Sequence, residues 1–379
     1  AESNMRKHII YRYFLFLSLV GLMQLTLSCS SSSNEIEPLK PEGEDTPLEK
    51  DEYTFMNVEY RKWQNGTFQA WTTADSRETR TIDNMNWYTP SSDYSRTAWG
   101  GRIGLQPSSV VGKEGFFRVA NCGGRSYLLD PDNGAVIIHG IQHVRPGEST
   151  AHKKAFGTRY GSEARWSEET GKLLADNHIN YISYGSNRIE VFPAAVRGNL
   201  LTPKTQKIAY AENLYLLRTF MWDMSKNLGY AFDDDKYNRL VLLFEPTFAR
   251  YIDRLVQEKS ALFAGDRHFI GFYLDNELPF ASYQGTGYAN TEGGGWLVHT
   301  QKNRGEFYQN FCLRLLETRN CVGWVHFEYN DGYDSNGKAS NKGVVSIEYE
   351  PYESFLSQMR QLNLSVHSLI DYYDIKSVQ

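Results

Sequence analysis

Glu277 closes an apolar run, Phe269 to Leu274, and is followed by Leu278, Pro279 and Phe280. Apolar surroundings disfavour a charged carboxylate and raise its pKa, which suits a general acid working near neutrality. Asn276, beside it, can orient a substrate hydroxyl. A bare Asn-Glu pair is also what a surface loop carries, so its place in the fold has to decide. Trp324, His326 and Glu328 alternate along another strand-like run and would share one face. Trp324 or Trp296 can stack on a flat ligand face, although core packing is as good an account of either. Arg145 can hydrogen-bond a hydroxyl-rich or acidic partner, or simply pair with a neighbouring carboxylate. Glu292 precedes three glycines, and Glu306 lies in helical text where it should face solvent. His139 reads as a satisfied core histidine.

Metal and cofactor signatures are missing from the text. No HExxH occurs, and no Cys/His spacing suggests zinc. Asn330, Asp331, Asp334 and Asn336 hint at calcium, but an EF-hand places its Gly and terminal Glu elsewhere, so this reads as a turn. No glycine fingerprint for a dinucleotide or nucleoside triphosphate follows any strand. The expectation is therefore no metal and no cofactor.

The elements that must position these residues come in two styles. Residues 51–114 are short, aromatic and turn-rich. Thr54 to Tyr60 alternates like a strand, Asn65-Gly66 marks a turn and Thr67 to Trp71 follows. From Gly115 the text changes. Phe116 to Val119 and Ser126 to Asp130 flank a Gly-Gly turn, and Asp130 to Gly134 makes a second turn. Ala135 to Gly140 is a continuous apolar run, as in strands buried on both faces. Helical text covers Ser162 to Asp176. Ile179 to Tyr184 reads as a strand, and a loop and short helix lead to the apolar run Leu214–Phe220. Pro246 to Lys259 carries an amphipathic stripe, Phe248, Tyr251, Ile252, Leu255 and Val256, before the strand Phe269–Leu274. Strands alternating with helices are the text of a parallel α/β fold. A (β/α) TIM-barrel-type domain over 115–379 is the expectation, because such barrels carry chemistry at the carboxyl ends of their strands.

Charge and leader narrow the setting. Forty basic against 45 acidic residues give −5, which argues against a nucleic-acid footprint. Aromatics are abundant, with 25 Tyr, 20 Phe and 8 Trp, and such rings either face sugars or fill cores. Residues 1–28 have the order of a secretory signal: a basic flank, a short apolar core and a small residue. Cys29 directly after Leu-Thr-Leu-Ser suits lipidation, and residues 29–50 read as a solvated tether. The expectation is an exported protein, lipid-anchored at the outer membrane or cell surface. Cys122, Cys312 and Cys321 read as mostly buried thiols, with room for one disulfide.

Several segments in order resemble the β-agarases of glycoside hydrolase family 50. They are Gly115-Phe-Phe-Arg-Val119, Leu128-Leu-Asp-Pro131, Gly140-Ile-Gln-His-Val-Arg-Pro-Gly147, Tyr273-Leu-Asp-Asn-Glu-Leu-Pro279, Gln301 to Phe311 and Val322-Gly-Trp324. The resemblance runs from Gly115 to Leu364. It implies a retaining hydrolase on a (β/α)₈ barrel that cuts β-linkages in agar-type galactans, with Glu277 as acid/base at the end of strand four. A retaining enzyme also needs a second carboxylate about 5–5.5 Å away, which the family carries on strand seven. Here too few residues separate Glu277 from Cys321 to hold three βα units of roughly 30 residues each. The resemblance thus implies an incomplete barrel of five or six strands, with strands five to seven largely missing and edges open to self-association. Glu328 is the best replacement carboxylate. The alternative is a catalytically inactive, carbohydrate-binding relative that lacks the nucleophile strand.

Overall fold

Two antiparallel sheets precede the parallel part of the chain. β1 (Met56–Gln64), β2 (Thr67–Phe68) and β3 (Asp75–Thr79) form the first, with both later strands pairing on β1. β4 (Ser109–Val111), β5 (Arg118–Cys122), β6 (Arg125–Leu129) and β7 (Ala135–Val136) form the second in sequential order. Gly123 and Gly124 join β5 to β6 with φ of 60° and 78°, backbone that a side chain would strain. The computed structural model describes residues 53–64, 67–91, 93–186, 192–228, 246–275, 296–333 and 339–376. All of them fall in the unit Lys50–Gln379.

The parallel part then begins. β8 (Ile138–Ile141) is followed by α1 (Thr150–Arg159) and α2 (Glu163–Asp176). β9 (Tyr181–Ile182), α3 (Ala194–Leu201), β10 (Ala209–Asn213), α4 (Leu216–Leu228), α5 (Phe248–Phe263) and β11 (Phe269–Tyr273) come next. β12 (Trp296–Val298) leaves this layer and pairs with β1 in the first sheet. After α6 (Gln301–Glu317), β13 (Gly323–His326) returns. β14 (Gly332–Tyr333) and β15 (Ala339–Ser340) make a small hairpin, and α7 (Glu353–Lys376) ends the description. The five parallel strands run in the order β11-β10-β9-β8-β13. The first four are laid down in sequence, and β13 joins at the free side of β8 in register, Gly323 opposite Ile138 and His326 opposite Ile141.

Local chemistry explains the elements. Ser162 caps α2 by accepting from the Arg165 amide, and Glu163 sits in its first turn. Trp166, Thr170 and Leu174, four apart, turn one buried stripe to the sheet. The run Leu214–Phe220 is mostly helix rather than strand. Leu217, Phe220 and Met221 have helical spacing and pack on Phe248 of α5, while the strand β10 lies just before them.

The two faces of the parallel sheet differ. On one, Ile141, Ile182, Tyr210, Phe269 and Phe272 are covered by Trp166, Leu200, Phe263, Phe355 and Met359 from the helices. On the other, small residues prevail. A side chain at Gly140 would meet the Tyr181 ring at 2.6 Å and Val325 at 3.1 Å. Trp99 and Phe117 fill the amino end of this face, against Ile138, Tyr181, Ala209 and Ala211. Toward the carboxyl end Val325 and Tyr273 stay exposed, 37% each.

The last helices clamp the earlier sheets. Arg80, 1% exposed, meets Glu317 of α6 at 2.5 Å. Arg125, fully buried, is held by Asp374 of α7 at 2.6 Å and by the Leu316 carbonyl. Cys122, Cys312 and Cys321 are free thiols, so the disulfide left open by the sequence does not form.

Candidate functional site

The carboxyl ends of β8, β9, β10 and β13 meet along one rim. Beyond β8, His143 adopts φ of 56° and its Nδ1 lies 3.0 Å from Oε2 of Glu328, just past β13. The imidazole fits because Gly185, beyond β9, has no side chain: a Cβ there would stand 2.4 Å from the ring. Phe327 packs edge-on against the same ring at 5.0 Å. Glu328 is also fixed by its backbone, which bonds to Lys342 and Val344. A carboxylate paired with an imidazole in this way can hold or pass a proton.

An aromatic group stands beside this pair. The Tyr181 hydroxyl donates to Tyr273 at 3.2 Å, and Tyr184 tilts against Tyr273 at 4.6 Å. Burial and the neighbouring Tyr273 push the Tyr181 hydroxyl well up, so it stays protonated and serves as a donor. Past β11, Asp275 accepts from the Leu217 amide at 2.8 Å and so secures the first turn of α4. Asn276 and Glu277 follow directly in the chain and lie outside the described residues, as do Cys29, Glu292, Asp334 and Asn336.

A cavity of about 890 Å³ opens over the ends of β8, β9 and β10. Arg145, Ser186, Glu212, Asn213 and Tyr215 contribute from the strand ends, and Arg218, Trp222 and Lys259 from α4 and α5. Burial and Tyr184 raise the Tyr215 pKa, with Arg218 opposing, Glu212 adding to the rise and Arg145 opposing again. The cavity thus places two guanidinium groups and a carboxylate around one phenol. Saccharide sites are built from such groups: planar donors, carboxylates and exposed rings.

The remaining candidates fall as follows. Arg145 lies on the cavity rim and pairs with Glu148 at 3.2 Å. Trp324 is 6% exposed, stacks on His139 at 5.0 Å and donates to the Tyr308 hydroxyl. His326 packs edge-on against Phe355, with Nε2 on the Lys342 carbonyl at 2.9 Å. Burial, then the Arg304 charge, lowers its pKa to about 4. Trp324 and His326 therefore point into the helix-covered side, away from the rim, while Glu328 reaches the rim beyond the end of β13. Trp296 stacks on Tyr60 at 4.2 Å, in the first antiparallel sheet. Glu306 does not face solvent: it is 2% exposed, bonded to Lys302 and Asn303. Asp331 accepts from the Tyr352 hydroxyl at 2.6 Å and the Gly343 amide at 2.8 Å, the bonds of a structural turn. His143, Glu212, Arg218 and Trp222 were not singled out from the sequence. For His143 the available signal was its place two residues beyond an apolar strand, inside the segment 140–147.

No family model and no curated protein matches the sequence. Solved structures do match. The crystal structure of BpGH50 aligns with a TM-score of 0.68 at 18% identity, over 85% of this chain and 96% of that one. The agarase AgWH50C aligns with a TM-score of 0.46 at 13% identity, over 74% and 67%. An exo-β-agarase aligns with 0.45 at 10% identity, over 74% and 68%. The resemblance to glycoside hydrolase family 50 is thus borne out at the level of architecture: this chain has the fold of BpGH50.

Proposed function

We propose that the protein is a glycoside hydrolase of β-agarase type, acting on β-linkages in agar-type galactans. Its five-stranded parallel sheet is then a (β/α)₈ barrel reduced to strands one to four and eight, with β11 and β13 at its edges among the described residues. The observation that carries this reading is the polar and aromatic rim at the carboxyl strand ends, on a fold shared with BpGH50. Glu277 is the acid/base, protonating the leaving oxygen, and Asn276 holds a substrate hydroxyl beside it. Glu328, oriented by His143, supplies the second carboxylate that retention requires.

The reading is tested by incubating agarose and neoagaro-oligosaccharides with the wild type, Glu277→Gln and Glu328→Gln. Sugar release by the wild type, reduced at least about 100-fold in each variant, is the expected result. Equal release by Glu277→Gln removes that residue from the mechanism. A second reading is favoured by the sheet itself, since no further parallel strand lies between β11 and β13 among the described residues. On that reading the rim binds galactan without cutting it, and the wild type binds but releases nothing. We further propose export with a lipid on Cys29. Incorporation of labelled palmitate, lost in Cys29→Ser, is the expected outcome.

A further inference from the structure

α4 leaves the rim with Arg218 and Trp222 one turn apart on the same side, and both line the cavity. Trp222 is 75% exposed and stacks on no ring among the described residues. An indole spread on the wall of a cavity is a costly use of apolar surface unless a ligand covers it. Arg218 makes no ion pair or hydrogen bond among the described residues. Arg145, across the cavity, is already matched by Glu148.

A third group points the same way. Asn213 Oδ1 is committed to the Tyr215 amide at 2.8 Å, which fixes the direction of its side-chain amide. The remaining Nδ2 is enclosed and has no acceptor among the described residues. The cavity therefore holds a planar cationic fork and an enclosed amide donor, both lacking acceptors, beside an exposed ring. Two oxygens of a sulfate ester or a carboxylate match such a fork bidentately, which a sugar hydroxyl cannot do. The carboxylates of the cavity do not cancel this. Glu148 is paired, Glu163 sits in the first turn of α2, and Glu212 has interactions of its own.

We propose that this cavity selects an anionic pyranose unit, with Arg218 on the oxyanion, Asn213 Nδ2 on an adjacent oxygen and Trp222 beneath the ring. The proposal rests on the saccharide reading above and deepens it by giving the same site a preference for charged over neutral galactan units.

The test is calorimetric titration of the full chain with three galacto-oligosaccharides of equal length: neutral, sulfated and uronate-bearing. The charged ligands are expected to bind at least ten-fold more tightly than the neutral one. A larger gain for one of them identifies the oxyanion. Arg218→Gln should remove the gain of the charged ligands over the neutral one, whereas Trp222→Ala should weaken all three and keep that gain. Both side chains are exposed, and an unchanged melting temperature checks that each variant folds. If the wild type binds neutral and charged sugars equally, or if the gain survives Arg218→Gln, the proposal is overturned while the galactan reading stands. If none of the three binds, both fall together.

Discussion

The two faces of the parallel sheet are made from the same strands and have opposite characters. Along β13, Trp324 and His326 turn to the helices, while Val325 between them turns to the other side and stays 37% exposed. Along β8, His139 and Ile141 are buried on the helix side, whereas Gly140 on the opposite side lets the Tyr181 ring and Val325 lie close against the backbone. The helix side is filled by large interlocking side chains. The other side is closed at its amino end by Trp99 and Phe117 and left open toward the rim. The packed core lies on the first face and the candidate site at the open end of the second, which is the usual division in strand-end sites.

The contrast breaks most visibly at Trp166, fully buried beneath the sheet. Trp166→Ala should cost about 3–5 kcal/mol in urea unfolding. A loss below about 1 kcal/mol would mean that the helix side is not sealed. Acid provides the next test. His139 and His367 are both buried, and burial lowers their pKa values to about 3 and about 4. Unfolded, each would titrate near the ordinary value of about 6.5, so the unfolded chain binds more protons below it. Their stabilising effect is full above pH of about 6.5 and falls away below it, by on the order of 2–3 kcal/mol each at a pH of about 4.5. A melting temperature unchanged between pH 7 and roughly pH 4.5 would contradict this. The smallest effect belongs to the open face. Val325→Ser should change stability by less than about 1 kcal/mol, because its side chain is already partly in water. A cost near that of Trp166→Ala would show that something covers the face in solution.

Much of the architecture was legible in the sequence, because burial on both faces forces continuous apolar strands and one-sided burial forces helical stripes. The run Ala135–Gly140 and the stripe Phe248 to Val256 both land on their elements, β7–β8 and α5. β10 was harder to see. Ala209–Asn213 is a modest stretch set against the denser apolar run that follows, and the helical spacing of Leu217, Phe220 and Met221 emerges only against Phe248. Glu306 misleads for a related reason. A carboxylate in helical text reads as solvent-facing, but this one is buried and is satisfied by Lys302 and Asn303 on its own helix. At the rim, residue type could mark Glu328 and Arg145 as candidates, but not the partner of Glu328. The pairing with His143 depends on one glycine, Gly185, forty-odd positions away in sequence.

The clamps at Arg80 and Arg125 bear on how the molecule is made. Their carboxylate partners lie 237 and 249 residues further along the chain. A cation taken out of water without its partner is strongly unfavourable, so neither arginine can settle until α6 and α7 exist. Early sheets can form transiently, but their clamps close only once α6 and α7 have been added. Contacts this distant in sequence also make that final step slow. The sheets carrying Arg80 and Arg125 are thus locked by helices made much later than themselves.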